Sequence, residues 1–354
     1  MKSDGTSSAL PRNSGLNSPL ITVTDLARGV GPMWSTAGRE IHAAVDSYCR
    51  EPSLRDSLVQ ALERPGFPLH PDAPRRSGAL TVGVYESIRG EISSLACRGA
   101  AAVEIQMAAS YMLDHVVDGE VDPAFHTSAA EELAIAISLL QCAAGAAGEV
   151  LSGQSGCLPE DSSLLAFHRT YLDACAGQFF DLRLEHAATP TTDFALEVTV
   201  LKAGSLGRLA AMTGASIAEI DAEGVRIFGD VGSDLFTYLQ LVDDLRDALG
   251  SKGVPGDLAR SKKTLPVVFF YNSCESSVSG PGDAMGRSSG ASGALEEQFE
   301  RSGARVFCAI VAETFLNRAR NGLSDLGNNG RKVDRLEHMV DALEVTAELV
   351  LAGP

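Results

Sequence analysis

Positive charge is scarce in this chain: 29 lysines and arginines stand against 46 aspartates and glutamates, for a formal net charge of −17. Nucleic acids and anionic membrane surfaces would be repelled, so neither is expected as a partner. Paired cysteines are also lacking. The seven thiols are odd in number and show no paired spacing, which argues against a disulfide scaffold and predicts reduced thiols in a cytoplasmic protein. There is no zinc-ligand spacing and no Gly-x-Ser-x-Gly turn. No apolar run reaches membrane-span length and the N-terminus shows no basic-then-apolar pattern, so no stable membrane insertion is expected. Sustained polar/apolar alternation bounded by turn residues is missing as well, which removes β architectures. What is plentiful is apolar mass, 45% of 354 residues, enough for a sizeable core. The expected class is all-α.

In order along the chain, residues 1–25 read as a disordered tail, because Met1–Asn17 is Ser, Gly, Asn and Pro without periodicity. Residues 26–354 read as one all-α domain. Helical spacing predicts one or two outer helices over Thr36–Glu63. The prolines of RPGFPLHPDAPRRSG (Arg64–Gly78) then force a loop. Further helices are expected over Leu80–Ala96, the stretch ending at Asp118, Ser128–Leu151, Leu164–His186, Leu196–Met212, Val225–Leu249, Leu265–Tyr271, Glu296–Asn321 and Val333–Leu351. Residues 273–293, rich in Ser and Gly, are predicted to be a flexible surface loop.

One apolar stretch, LQLVDDLRDAL (Leu239–Leu249), carries Asp243, Asp244 and Asp247. On a helix, Asp243 and Asp247 share a face, with carboxylates about 6 Å apart. Like charges that close among Leu and Val are costly unless a cation sits between them. A hard, oxygen-loving ion such as Mg²⁺ meets that need. By itself this spacing could equally be a solvated acidic face. A second pair changes the balance: Asp114 and Asp118, again four apart, close the apolar helix EIQMAASYMLDHVVD with no basic residue one turn away. Two such helices facing each other could hold a diphosphate through bridging Mg²⁺, their apolar stretches lining a pocket for a greasy tail.

Five blocks in order make the chain, from about Ala100 to Pro266, resemble the trans-isoprenyl diphosphate synthase (polyprenyl synthetase) family. AVEIQMAASYMLDHVVD resembles its first aspartate-rich motif and AGQFFDL its Gly-Gln segment. LKAGSLGRLAAMTGAS resembles the Lys-Thr block, YLQLVDDLRD the second aspartate-rich motif, and DLARSKKTLP the lysine loop after it. The resemblance implies an isoprenoid-synthase helical bundle around a central apolar cavity, and implies a homodimer that the residues themselves do not. It implies Asp114, Asp118, Asp243, Asp244 and Asp247 as Mg²⁺ ligands and Lys202, Lys262 or Lys263 as diphosphate binders. Gln240 matches the glutamine one turn before the second motif. Arg246 is expected either to clamp diphosphate or merely to neutralise its neighbours. Gln178 and Asp181 are expected to satisfy each other rather than polarise a cation, and His115 to be a polar side chain rather than a ligand. Phe179, Phe180, Phe236 and Tyr238 are expected in the core. Small side chains at Ala109 and Ser110, one turn before the first motif, imply a deep pocket and a C20 substrate, geranylgeranyl diphosphate.

The chain also departs from the family pattern. Arg75-Arg76-Ser77-Gly78 stands for the basic segment that binds a second substrate, isopentenyl diphosphate. Met107 takes the place of a histidine, Gly119-Glu120-Val121-Asp122 that of an arginine pair, and Ala203 that of a threonine. Acidic and apolar groups there would repel or ignore a diphosphate. The expected activity is therefore that of a divergent, terpene-synthase-like member. In that reading, catalytic Asp114, Asp118, Asp243, Asp244 and Lys202 ionise a linear allylic diphosphate and the cation cyclises. The alternatives are prenyl transfer, to isopentenyl diphosphate or another acceptor, and a non-catalytic partner subunit of a prenyl synthase.

Overall fold

The computed structural model describes residues 31–119, 128–152, 163–251, 254–260, 262–275 and 292–351. The expected tail at 1–25 and most of the 273–293 loop lie outside them.

The chain is a bundle of helices, as expected. Outer helices α1 (Gly31–Tyr48) and α2 (Pro52–Leu62) come first. Helix α2 opens with proline where no donor is needed, and the Glu51 carboxylate accepts from Leu54 N–H at 2.6 Å. The proline-rich turns that follow lead into α3 (Arg76–Arg89), α4 (Ser94–Asp118) and α5 (Ala129–Leu151). The Leu80–Ala96 segment is thus two helices, because Gly90 ends the first at φ 78° and Ser93 caps the second. Helix α4, roughly 37 Å long at the α-helical rise, carries the first acidic pair to its last turn. It stops at Gly119, whose positive φ of 69° lets its N–H return to His115 and Val116 carbonyls. Ser128 and Glu131 form a reciprocal capping box on α5.

Helices α6 (Ser163–Glu185) and α7 (Thr192–Thr199) lead into a π-helical turn, Val200–Gly204, and then α8 (Ser205–Ile217). The expected continuous helix over Leu196–Met212 is therefore interrupted, and Lys202 sits on the widened turn. Helix α9 (Ala222–Asp247), capped by Asp221, carries the second acidic cluster at its end. Its buried residues Phe228, Val231, Leu235, Tyr238, Leu241 and Leu245 place one face in the core. Beyond it lie a short antiparallel pairing of β1 (Gly250–Ser251) with β2 (Val254–Pro255), α10 (Asp257–Arg260) and α11 (Leu265–Glu275). Helices α12 (Ser292–Ser302), α13 (Ala304–Asn328) and α14 (Asp334–Leu351) complete the chain. Gly303, at φ 78°, splits the stretch expected as one helix.

One expectation is corrected by composition. Helix α5 is long and apolar enough to cross a membrane. It packs here along α4, burying Ile135, Ala136, Leu139, Cys142 and Ala143 in a cluster with Ile105, Ala109 and Met112. Its buried Glu132 pairs with the equally buried Arg64.

Candidate active site

The acidic ends of α4 and α9 and the π-helical turn surround one cavity of about 880 Å³. Asp114, Asp118, Asp243, Asp244 and Asp247 all line it, as do Lys202, Lys262, Lys263, Gln240, Arg246 and Gln178. Each reaches the wall through local geometry that the sequence sets. The i, i+4 spacing of the first pair puts both side chains on one side of the last turns of α4. Asp243 and Asp247 do the same on α9.

Lys202 reaches in because α6 approaches the π-helical turn with nothing between them. A Cβ at Gly177 would lie 2.3 Å from the Lys202 backbone nitrogen. From that turn, Lys202 Nζ donates to Asp114 at 2.9 Å and to Asp181 at 2.8 Å, tying α4 to α6. Burial pulls the lysine toward its neutral form, but the two carboxylates outweigh it and hold the ammonium more firmly charged than usual. Lys262 likewise donates to Asp118 at 2.6 Å. Lys263 instead lies over the Tyr271 ring at 4.9 Å, so Lys262 is the one paired with the acidic motif. Arg246 stands 3.1 Å from Asp243 and 3.1 Å from Asp247. Gln240 donates to Asp244 at 2.7 Å.

Burial crowds the second cluster. It pushes the Asp243 carboxyl up to about 6 despite Arg246 and Arg76, and raises Asp244 well above the ordinary range despite the bond from Gln240. Asp257, from α10, is pushed up to about 6 by burial, with Lys262 opposing. Carboxylates this hard to ionise in a shared cavity are the donor set that a divalent cation would relieve. Among the described residues, however, no three carboxylate, imidazole or thiol groups converge as a ready ligand set. Lysine and arginine hold Asp114, Asp118, Asp243 and Asp247 instead, and Gln240 holds Asp244.

Three sequence expectations change here. Ala109 is wholly buried between α4 and α5 and does not line the cavity, whereas Ser110 does. Ala109 lies about 100° around α4 from Ser110, on the side packed into the cluster with Ile135, Ala136 and Leu139 of α5. Ser110 is also not open space: its hydroxyl lies 3.2 Å from that of Tyr171 on α6, and both line the cavity. Finally, Gln178 and Asp181 do not satisfy each other. Asp181 is taken by Lys202, and both Gln178 amide atoms are buried without a hydrogen-bond partner.

The aromatics divide. Tyr238 is core and donates to the Leu343 carbonyl at 3.2 Å, Phe180 packs against the core, Phe236 lines the cavity, and Phe179 is exposed beneath the Arg183 guanidinium. His115 lines the cavity with its ring 4.0 Å from that of Tyr111. Glu120, Val121 and Asp122 lie outside the described residues.

The sequence gives no expected role for Asp257 or Glu104; it pairs Asp181 with Gln178, and Arg76 stands only within the segment matched to the second-substrate site. Arg76 lines the cavity, and its buried Nε has no partner. The only signal was its place in a segment that looked basic but out of pattern.

Residues 75–296 match the model of the polyprenyl synthetase family. A geranylgeranyl diphosphate synthase of Mycobacterium tuberculosis (strain ATCC 25618 / H37Rv) is 30% identical over 181 residues, covering 49% of this chain and 52% of that protein. The match thus spans about half the length of that relative. Among solved structures, a polyprenyl synthase from Caulobacter crescentus, complexed with calcium and isoprenyl diphosphate, aligns with a TM-score of 0.73 at 21% identity, over 97% of this chain and 99% of that one. A geranylgeranyl pyrophosphate synthase from Corynebacterium glutamicum, complexed with the same two ligands, gives 0.70 at 19% identity over 95% and 98%. At these identities the structural likeness is one of fold.

Proposed function

The chain belongs to the polyprenyl synthetase family, and from that premise we propose that it is a Mg²⁺-dependent prenyltransferase of the prenyl diphosphate synthase type. It joins an allylic prenyl diphosphate to isopentenyl diphosphate. The observation that carries this reading is that one cavity holds both acidic helix ends, the two lysines paired with the first of them and, in its wall, an arginine whose Nε is buried and unpartnered. One anionic head group uses the first set of residues; Arg76 is left for a second.

In this reading Lys202 and Lys262 donate charge-assisted hydrogen bonds to the allylic diphosphate. Asp114, Asp118, Asp243, Asp244 and Asp247 would hold Mg²⁺, which when bound neutralises the head group and stabilises charge developing on it. The tail lies against Leu113, Leu184, Val198 and Leu206 on the apolar wall. As the carbon–oxygen bond breaks, the electron pair stays with the leaving diphosphate, and the two ammonium groups stabilise it more than they do the ground state. The second substrate's double bond attacks the allylic carbon, and the released diphosphate then takes a proton from the joined skeleton, restoring a double bond. Gln178, buried beside this path, offers an amide oxygen to the cationic carbon.

A second reading, ionisation followed by cyclisation, is favoured by Met107, which puts an apolar side chain in the wall where a cation would help a second diphosphate. Incubation with Mg²⁺ and farnesyl or geranylgeranyl diphosphate, with and without isopentenyl diphosphate, separates the two. A longer diphosphate formed only with isopentenyl diphosphate is the expected result. A hydrocarbon or alcohol formed without it would replace the first reading with the second.

A further inference from the structure

Helix α3 begins in an unusual way. Its N-cap, Arg75, has a left-handed backbone (φ 44°, ψ 38°) and provides no side-chain cap. Its guanidinium is used elsewhere: it donates to the Pro68 carbonyl at 2.8 Å and the His70 carbonyl at 2.6 Å, and lies 5.5 Å over the Trp34 ring. The first-turn amide of Gly78 would go unsatisfied, but Glu104, one helix away on α4, accepts from it at 2.6 Å. Glycine permits this closure. A Cβ at residue 78 would stand 3.0 Å from the Glu104 side chain and 3.1 Å from Trp34. Arg76, the first residue of this helix, lines the cavity beside Asp243 and Arg246.

We propose that Glu104 is a positioning residue: by capping α3 from α4 it fixes Arg76 so that the guanidinium faces a second anionic group in the cavity. The inference rests on the two-diphosphate reading above. Glu104 touches neither substrate and acts through the backbone of Gly78. Burial pushes its carboxyl up to about 7, with the Gly78 bond and Arg75 opposing, so the group stands there at a cost to stability that a purely apolar contact would avoid. Helix termini without a satisfied first turn fray, and a fraying α3 would let Arg76 swing off the wall.

Trp34 is the chain's single tryptophan and packs on this cap, so its fluorescence reports the site directly. Isopentenyl diphosphate, and inorganic pyrophosphate as a tail-free probe, are titrated against wild type, Glu104→Gln, Glu104→Ala, Gly78→Ala and Arg76→Met, with far-UV circular dichroism to check folding. Glu104→Ala is expected to weaken isopentenyl diphosphate binding about tenfold, the scale of one lost buried hydrogen bond. Glu104→Gln keeps an amide oxygen for Gly78 and is expected to bind like wild type. Gly78→Ala, whose methyl presses on the Glu104 side chain and Trp34 at 3.0–3.1 Å, is expected to weaken binding in the same direction as Glu104→Ala, and it carries the test if Glu104→Ala does not fold. In turnover, KM for isopentenyl diphosphate is expected to rise with kcat nearly kept. Wild-type affinity in Glu104→Ala or Gly78→Ala, alongside weakened binding in Arg76→Met, would overturn the positioning role while leaving the two-diphosphate reading intact. Wild-type affinity in Arg76→Met would overturn that reading, and the inference with it.

Discussion

Lys262 Nζ lies 2.6 Å from Asp118 Oδ2 across 144 residues of sequence, joining the loop after the second acidic helix to the end of the first. The contact sets the spacing of the two halves of the site. Lys262→Gln is expected to lower kcat/KM for the allylic diphosphate about 10²-fold, the loss typical of one donor aimed at developing negative charge. Pyrophosphate release measures it. An unchanged kcat/KM would reduce Lys262 to a strut for Asp118.

Asp243 is held in the cavity against its own desolvation. Asp243→Asn keeps the shape and removes the charge, so turnover is expected to fall by at least about 10²-fold while thermal stability holds or rises. Parallel assays of pyrophosphate release and melting temperature check it. A large loss of stability would make the aspartate a structural partner of Arg246 instead.

The buried Glu104 carboxyl gives stability a pH dependence. Its folded value of about 7 lies above the ordinary 4.5, so between those two pH values the folded chain keeps a proton that the unfolded chain has lost. Stability from this group is therefore full below about pH 4.5, declines as pH rises and is lost above about pH 7, a change of up to about 3 kcal/mol. Glu104→Gln removes that slope, and the variant is expected to melt higher than the parent at pH 8 and no higher at pH 5. Equal melting temperatures at pH 8 would mean that the carboxylate is better solvated or paired than its burial indicates.

Tyr171 fills from α6 the space that Ser110 leaves on α4. Along α6 it stands ten positions before Asp181, roughly 15 Å from the diphosphate end at the α-helical rise. Tyr171→Ala is expected to lengthen the products by at least one isoprene unit, read by mass spectrometry of the dephosphorylated alcohols. An unchanged product length would mean that the tail runs along the α7 wall instead.

Gly177 lets α6 lie against the Lys202 turn. Because the obstacle to a side chain is backbone nitrogen 2.3 Å away, it cannot step aside as a flexible side chain would. Gly177→Ala is expected to destabilise by about 1–3 kcal/mol and to lower activity more than stability alone explains, since Lys202 moves with the turn. Chemical denaturation and steady-state kinetics together test this, and a variant with wild-type values for both would show that the helices can separate freely.

The local part of this protein was legible in its sequence. Spacing of four put Asp114 with Asp118 and Asp243 with Asp247 on common faces, and proline marked the loop before α3, because those rules act within one turn of chain; the helical spacing reads straight through the breaks at Gly90 and Gly303. The family resemblance, carried by short blocks in order, also pointed to Lys202 and to Lys262 or Lys263, though as diphosphate binders and not as partners of the carboxylates. Partners remote in sequence were beyond its reach. That Lys202 bridges Asp114 and Asp181, that Ser110 rather than Ala109 faces the cavity and meets Tyr171, and that a glutamate on one helix caps another so that Arg76 stays in the wall all depend on how helices rotate and approach when packed. Sequence spacing fixes angles along a single helix, whereas only close packing between helices decides which of those faces meet.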